Sequence, residues 1–117
     1  EEKDNWHIVV LNDEQVVGTL MLSKKSKKTA QIEQVAICES MQGLGVGKQL
    51  IDFAEAVASD LGFKQTYLTG RESAWAFYEK LGYTTNHKIS KIGRVRIKEY
   101  TKKLVAHEMV KEMETNG

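Results

Sequence analysis

The segment VAICESMQGLGVGK, residues 35–48, carries the pattern that decides the fold of this chain. A run rich in β-branched residues leads through three alternating glycines, Gly43, Gly45 and Gly47, into a sequence with the apolar spacing of a helix. Glycine lets a backbone bend closely around an anion, and the first amides of a helix have no partners inside the helix. Lys48 adds a positive charge. The segment therefore predicts a phosphate-binding loop between a strand and a helix.

Two common phosphate motifs do not fit this loop. The nucleotide P-loop requires glycine, four residues, and then Gly-Lys-Ser/Thr, whereas this chain has Gln42 at the first position and Gln49 at the last. The dinucleotide fingerprint requires the spacing G-x-G-x-x-G, whereas the glycines here are spaced G-x-G-x-G. A nucleotide-binding regulatory domain that uses the same loop remains a competing interpretation.

Residues 71–83, RESAWAFYEKLGY, form a second motif. Together with Gln42-x-x-Gly45-x-Gly47, it resembles the two signatures of the GCN5-related N-acetyltransferases, in the family's order and with one strand between them. The resemblance extends over about residues 6–104. It implies an acyl-CoA N-acyltransferase fold and a reaction in which an acetyl group passes directly from acetyl-CoA to a primary amine in a ternary complex. A coenzyme A binding module without turnover is the alternative.

The resemblance also implies where the coenzyme binds. In this family the amides of the glycine loop hold the pyrophosphate, and the pantetheine arm lies along a strand that separates from its neighbour. The residues that this assigns to acetyl-CoA are Val35, Ala36, Ile37, Gln42, Gly43, Leu44, Gly45, Val46, Gly47, Lys48, Arg71, Ala74 and Phe77. Arg71 departs from the family pattern, which often has asparagine there. An arginine is suited to pairing with a cofactor phosphate or with an acidic substrate.

Two residues are candidates for acid–base chemistry. Tyr78 stands in the second signature, and a phenol with a pKa of ~10 keeps its proton at neutral pH and can give it to a departing thiolate. The alternative is that Tyr78 packs in the core like its neighbour Phe77, but adjacent helical residues point about 100° apart. Glu33 matches a position where relatives often carry a carboxylate that accepts the amine's proton through water; it is equally consistent with a surface residue.

The strand at residues 30–37 has an irregular alternation. Ile32 falls on one phase, whereas Val35 and Ile37 fall on the other. Either both faces of the strand are buried, or an extra residue forms a bulge; the resemblance implies the bulge. Glu33 shares the phase of Val35 and Ile37 if that bulge lies elsewhere in the strand.

The apolar patterns and turn residues predict the other elements. They are a strand at 6–11, a tight turn at 12–14, a strand at 15–22, a helix from 45 to 61 that ends at Gly62, a strand at 65–69, a helix at 73–81, a hairpin of 83–90 with 95–103 that turns near Gly93, and a terminal helix or tail at 105–117. We expect one α/β (α+β) domain over residues 1–117, with a mixed, mostly antiparallel sheet of about six strands, a splayed strand pair and two main helices.

Composition restricts the functional classes. The chain has 117 residues, 41% of them hydrophobic, and a formal net charge of +1, which argues against disorder and against a nucleic-acid partner. It lacks the ~18-residue apolar run of a membrane span, so we expect no membrane partner and a cytoplasmic location. Three scattered histidines lack metal-ligand spacing, which predicts no metal. The single cysteine, Cys38, excludes an internal disulfide and is expected to be half-buried and structural.

The front of the chain differs from the family pattern. Family members usually have a strand and one or two helices ahead of the first hairpin, whereas this sequence starts at Glu1, almost at the hairpin. The sequence is either trimmed or naturally short. In the second case the acceptor groove is expected to be open or to be completed by another protomer, which favours a homodimer. The acceptor amine itself, a small molecule or a peptide or protein lysine, stays open because the fold does not set the substrate.

Overall fold

The computed structural model of the protein describes residues 5–105. Six strands and two helices follow one another in this range. They are β1 (Asn5–Asn12), β2 (Gln15–Lys24), β3 (Thr29–Ile37), α1 (Val46–Asp60), β4 (Gln65–Arg71), α2 (Trp75–Lys80), β5 (Ser90–Ile92) and β6 (Val95–Lys103). A short 3₁₀ turn precedes each helix, at Glu39–Met41 and at Glu72–Ala74.

The strands form one sheet in the order β1-β2-β3-β4-β6-β5. Only the pair β3–β4 is parallel, and α1 makes the crossover between these two strands. The other four pairs are antiparallel. The predicted mixed, mostly antiparallel sheet of about six strands is therefore confirmed.

Both helices pack on the same face of the sheet. A Cβ atom at Gly18 of β2 would lie 3.6 Å from Leu50 of α1, and one at Gly70 of β4 would lie 3.0 Å from the ring of Tyr78 in α2. The fully buried side chains lie between the helices and this face, and the largest are Tyr100, Leu20, Leu22, Leu50, Ile51 and Leu68. We call the opposite side the open face, because no helix within residues 5–105 covers it.

The first helix ends as its sequence predicts. Gly62 has φ +98° just after the last turn, and its amide donates to the carbonyl of Ser59 at 3.0 Å. The amide of Phe63 donates to Ala58 at 3.0 Å. These two bonds satisfy carbonyls that the end of a helix leaves without partners, and glycine adopts the left-handed conformation without strain. The apolar stripe of α1 is thus stopped at the point where β4 must begin.

The predicted strand at 83–90 is wrong. Thr84 makes an isolated bridge to Thr101, and regular pairing begins only at Ser90. Between them, the side chains of Thr85 and Asn86 accept the backbone amides two residues ahead, at 3.2 and 2.9 Å. Such local bonds compete with a strand ladder, and His87 with φ +69° breaks the extended path.

Two other boundaries differ from the sequence prediction or lie outside it. The helix predicted at 73–81 is α-helical only over Trp75–Lys80, because its first residues form a 3₁₀ turn. The predicted terminal helix falls almost wholly beyond residue 105, outside the described residues. Over residues 5–105, none of the helices has the length and hydropathy needed to cross a membrane.

Candidate active site

The parallel strands β3 and β4 stay together for only three residue pairs. Residues 29–31 pair with residues 65–67, and beyond them the two strands separate. A cavity of about 510 Å³ lies in the gap. It is lined by Gln31, Ile32, Glu33, Gln34, Val35, Thr69, Gly70, Arg71, Ser73, Ala74, Tyr78 and Ile97. The splayed pair that the family resemblance implied is therefore present, with a polar cavity inside it.

A β-bulge in β3 accompanies this separation. Met21 of β2 is paired with Glu33, whereas Thr19 is paired with Ala36, so β3 contains one more residue than β2 over this stretch. Gln34 in the bulge has φ +55°, a conformation that non-glycine residues seldom adopt. The bulge explains the slip in the sequence pattern and confirms the second of the two interpretations.

Tyr78 is buried beside the cavity, with only 8% of its surface exposed. Its ring centroid lies 6.0 Å from that of Tyr100 and 6.1 Å from that of Tyr83. Burial alone raises the pKa of its hydroxyl above the usual value. All buried side-chain polar atoms among residues 5–105 have hydrogen-bond partners, and the Tyr78 hydroxyl is bonded to none of these residues. Its hydroxyl oxygen must therefore be accessible at the cavity.

The other three tyrosines use their hydroxyl groups in structural bonds. Tyr83 donates to Glu55 at 2.9 Å, and Tyr100 donates to Glu79 at 2.8 Å. Tyr67 bonds to the carboxylate of Glu99, which helps to raise its pKa after the larger effect of burial. Tyr78 is thus the tyrosine whose hydroxyl is left for a bound molecule.

Glu33 reaches the same cavity from the open face. The hydroxyl of Ser23 donates to its carboxylate at 2.6 Å and fixes its orientation. The bulge lies directly after Glu33, so this residue shares a face with Ala36 and not with Val35 and Ile37. The sequence pattern placed Glu33 on the face of Val35 and Ile37 only if the bulge lay elsewhere in the strand, and this condition is not met. Tyr78 and Glu33 line one cavity but approach it from opposite faces of the sheet.

The glycine loop has the conformation that its sequence predicts. Gly43 and Gly45 have φ +84° and +85°, and Gly45 caps α1. The first bond of the helix runs from the amide of Gln49 to the carbonyl of Gly45 at 3.1 Å. The three amides before Gln49 have no partner among residues 5–105. The side chain of Gln42 donates to the carbonyl of Ile37 at 3.2 Å and ties the loop to the end of β3.

Lys48, which was expected to place its charge at the loop, is paired elsewhere. Its ammonium group lies 2.7 Å from the carboxylate of Asp52, one helical turn further on. This hydrogen bond is the main cause that raises the pKa of Lys48. The i, i+4 spacing of the two residues is a known signal for such a pair, so the sequence contained the information.

The second motif meets the first through Phe77. A Cβ atom at Gly47 would lie 3.1 Å from Cζ of Phe77, so the ring rests directly on the first turn of α1. Ala74 lines the cavity between β3 and β4. Of the strand residues assigned to the coenzyme, Val35 lines the cavity, Ala36 is exposed, and Ile37 packs against the core.

Sequence reasoning missed Gly70. Its carbonyl accepts the indole N–H of Trp75 at 2.7 Å, which fastens the start of α2 to β4. Its missing side chain leaves the space that the Tyr78 ring occupies. A glycine inside a strand is a known sign of close approach by another group. Thr69, Ser73 and Gln31 also line the cavity without a signal in the sequence.

Cys38 differs from its expected environment. The residue is exposed, not half-buried, because it lies just after the last residue of β3. Its sulfur is 3.4 Å from the hydroxyl of Ser40, and hydrogen bonds from Ser40 lower the pKa of the thiol. The amide of Cys38 donates to the carbonyl of Val17 at 2.8 Å and extends the contact between β2 and β3.

Comparison with known sequences places the chain in a family. A model of the acetyltransferase (GNAT) family matches residues 1–83, and the protein belongs to this family. A candidate acetyltransferase of Bacillus subtilis (strain 168) is 33% identical over 82 residues, which cover 70% of this chain and 55% of that protein. An uncharacterized N-acetyltransferase of Chlorobaculum tepidum is 30% identical over 69 residues, 59% of this chain and 43% of that protein. The chain therefore spans about half the length of the curated relatives it matches.

Solved structures show the same fold. An acetyltransferase from Bacillus cereus ATCC 14579 superimposes with a TM-score of 0.78 at 23% identity, covering 87% of this chain and 74% of that one. An aminoglycoside 6'-N-acetyltransferase complexed with coenzyme A gives a TM-score of 0.79 at 13% identity, covering 89% and 75%. At these identities the likeness concerns the fold, and the acyl-CoA N-acyltransferase architecture is shown.

Proposed function

We propose that this chain binds acetyl-CoA and transfers its acetyl group directly to a primary amine, with Tyr78 as general acid. One observation carries the proposal: the hydroxyl of Tyr78 opens into the cavity between β3 and β4 and has no bond to any of residues 5–105. A hydroxyl that opens into a cavity and has no structural partner is suited to hydrogen bonding with a bound molecule. Membership in the acetyltransferase family supports the reaction type.

The residues present fit coenzyme A. The amides at the start of α1 and the two left-handed glycines of the loop form an anion site for a pyrophosphate. Beyond Gln31, the β4 side of β3 has no strand partner within residues 5–105, so its backbone groups can bond to an extended pantetheine arm. Val35 and Ala74 line the cavity on this path, and Phe77 packs against the first turn of α1 beside it. We assign residues 42–48 to the pyrophosphate and the strand edge to the arm.

Tyr78 and Glu33 divide the proton transfers between them. The thioester, when bound, supplies the activated acetyl group. Tyr78 donates its proton to the departing sulfur, and its raised pKa keeps it protonated until then. Glu33 accepts, through a water molecule, the proton that the amine loses as the C–N bond replaces the C–S bond. The Ser23 hydroxyl orients this carboxylate. Placing amine and thioester at attack distance can contribute roughly 7–11 kcal/mol more.

The test compares Tyr78→Phe with Tyr67→Phe. Both variants remove one phenolic hydroxyl, but only the first removes the hydroxyl that opens into the cavity. We expect Tyr78→Phe to lower kcat by about 10²-fold or more, with an acetyl-CoA Kd, measured by calorimetry, within twofold of the wild type. Tyr67→Phe should leave kcat within threefold. Equal kcat values for wild type and Tyr78→Phe would refute the acid role.

A coenzyme A binding module without turnover is distinguished in the same experiment. Tight acetyl-CoA binding by the wild type, combined with no thiol release for any amine of a broad panel, would favour the binding module. If the wild type binds ATP and does not bind acetyl-CoA, the result would favour a nucleotide site instead.

A further inference from the structure

The cavity between β3 and β4 is lined by one anion and one cation. Glu33 of β3 is the anion, and Arg71 at the end of β4 is the cation; the other lining side chains are neutral. The two groups do not form an ion pair with each other. The cavity therefore presents two opposite charges that are separated by the space between the diverging strands.

The side chain of Arg71 points away from the glycine loop. Residues alternate across a strand, and Gly70 faces the helices, since a Cβ atom there would touch the rings of Tyr78 and Tyr100. Arg71 consequently leaves the sheet on the open face, beside its register partner Ile97, which also lines the cavity. The loop amides lie at the start of α1, on the helical face. Contact between Arg71 and a pyrophosphate at the loop is disfavoured by this geometry.

The neighbouring cations are already engaged. Arg96 donates to Glu72 at 2.9 Å, and Lys98 lies 4.2 Å from the centre of the Trp75 ring. Arg71, in contrast, has no ion pair with any of residues 5–105. An exposed guanidinium beside a cavity, with five donors and no carboxylate, is suited to binding the carboxylate of a ligand.

We propose that the acceptor is an amine that also carries a carboxylate, and that Arg71 binds this carboxylate while the amine lies between Tyr78 and Glu33. This inference rests on the proposed acetyl transfer. It names the substrate class as amino acids, in preference to simple alkylamines or polycations. In the parallel register Gln31 pairs with Tyr67, so Glu33 and Thr69, each two residues further on, stand at the same level along the strands. Arg71 lies two residues beyond Thr69, roughly 6–7 Å further along β4. Acceptors with several bonds between amine and carboxylate should therefore fit best.

The experiment uses matched acceptor pairs. The ω-amino acids 4-aminobutyrate, 5-aminopentanoate and 6-aminohexanoate are compared with butylamine, pentylamine and hexylamine in a thiol-release assay with acetyl-CoA. Each pair differs in the carboxylate and has similar amine basicity. For at least one pair, we expect the wild type to favour the amino acid at least tenfold in kcat/KM. Arg71→Gln should reduce this preference at least tenfold, and Arg71→Lys should retain part of it.

Arg94→Gln is the matched control, because Arg94 is an exposed arginine in the β5–β6 turn and does not line the cavity. This variant should keep the wild-type preference. An Arg71→Gln enzyme with an unchanged preference would overturn the inference. So would an Arg71→Gln variant that loses acetyl-CoA affinity and keeps the preference, since Arg71 would then serve the cofactor.

A binding readout separates this inference from the proposed function. The same acids and amines are titrated by calorimetry into the protein saturated with coenzyme A. If no amine is acetylated, the proposed transfer fails, but acid binding that disappears in Arg71→Gln would still support the carboxylate site. Equal binding of acids and amines to the wild type would overturn the inference, whatever the turnover.

Discussion

The ring of Phe77 rests against the backbone of Gly47, where a Cβ atom would stand 3.1 Å from Cζ. Gly47 belongs to the first turn of α1, and Phe77 belongs to α2. The two sequence motifs therefore form one continuous surface beside the cavity. The position of the glycine loop depends on how α2 packs, and α2 is fastened in turn by the bond from Trp75 to Gly70.

Gly70→Ala should destabilise the protein more than Gly47→Ala. A Cβ atom at Gly70 would lie 3.0 Å from the buried Tyr78 ring and 3.5 Å from that of Tyr100, so neither ring can move aside easily. Overpacking of this kind costs about 1–3 kcal/mol. Phe77 is 36% exposed, so its ring can move away from a Cβ atom at Gly47. The loss of stability in Gly47→Ala should therefore be limited to about 1 kcal/mol. Urea denaturation measures both values, and equal free energies of unfolding would contradict the expectation.

Gly45→Asp should weaken acetyl-CoA binding, and Gly62→Asp is its control. Both glycines have positive φ, and a Cβ atom at either would meet nothing within 4 Å. Aspartate tolerates the left-handed conformation better than most residues, so both variants should fold. Only Gly45→Asp puts a carboxylate at the free amides of α1. Calorimetry should show at least a tenfold higher Kd for that variant and an unchanged Kd for Gly62→Asp. A similar loss in both would point to a general effect on folding.

Stability should fall above pH 10. The folded protein raises the pKa of Tyr67, Tyr78 and Tyr83, mainly through burial, and raises that of Tyr100 to about 12. In an unfolded chain tyrosine has a pKa of ~10. At a pH between the unfolded pKa and the raised folded pKa, the tyrosines lose their protons in the unfolded state but keep them in the folded state. The free energy of unfolding therefore decreases as pH rises.

Denaturation curves at pH 8, 10 and 11.5 check this prediction. Each buried tyrosine steepens the decline by up to about 1.4 kcal/mol per pH unit. Tyr100→Phe should make the slope shallower, since it removes one of these groups. A free energy of unfolding that stays constant from pH 9 to 11.5 would show that the tyrosines titrate normally in the folded state.

Lys102→Met should destabilise the fold by about 1–3 kcal/mol. The ammonium group of Lys102 donates to Glu55 at 3.0 Å and to the carbonyl of Leu81 at 2.7 Å, and the Glu55 side chain is only 13% exposed. Removing the cation leaves a largely buried carboxylate that keeps the hydrogen bond from Tyr83 but has lost its positive partner. Lys103→Met, on the neighbouring exposed residue, is the control and should change the free energy of unfolding by less than about 0.5 kcal/mol. Equal effects of the two changes would contradict the structural role.

Local sequence determined most of the elements. Alternation in β1 and β2, the apolar stripe of α1 and the glycines at 45 and 62 act over a few residues, so their consequences can be predicted without knowing the neighbours. The slip of phase at Val35 left two interpretations open, a strand buried on both faces or a bulge, and the family resemblance favoured the bulge that β3 contains. The prediction of a strand at 83–90 was wrong because the side chains of Thr85 and Asn86 accept hydrogen bonds from nearby backbone amides. Strand propensity does not show whether such local bonds or the strand pairing will form.

The site itself depended on the tertiary structure. The second motif singles out Tyr78 among the four tyrosines, but it does not say which hydroxyl groups are bonded. The packing of α1, α2, β4 and β6 decides that the hydroxyl groups of Tyr83 and Tyr100 are bonded and that of Tyr78 is not. Glu33 and Arg71 lie on different strands, and they share a cavity because β3 and β4 separate after three pairs. Sequence determines what each segment can form by itself, whereas contacts between distant segments decide which polar groups remain available for a ligand.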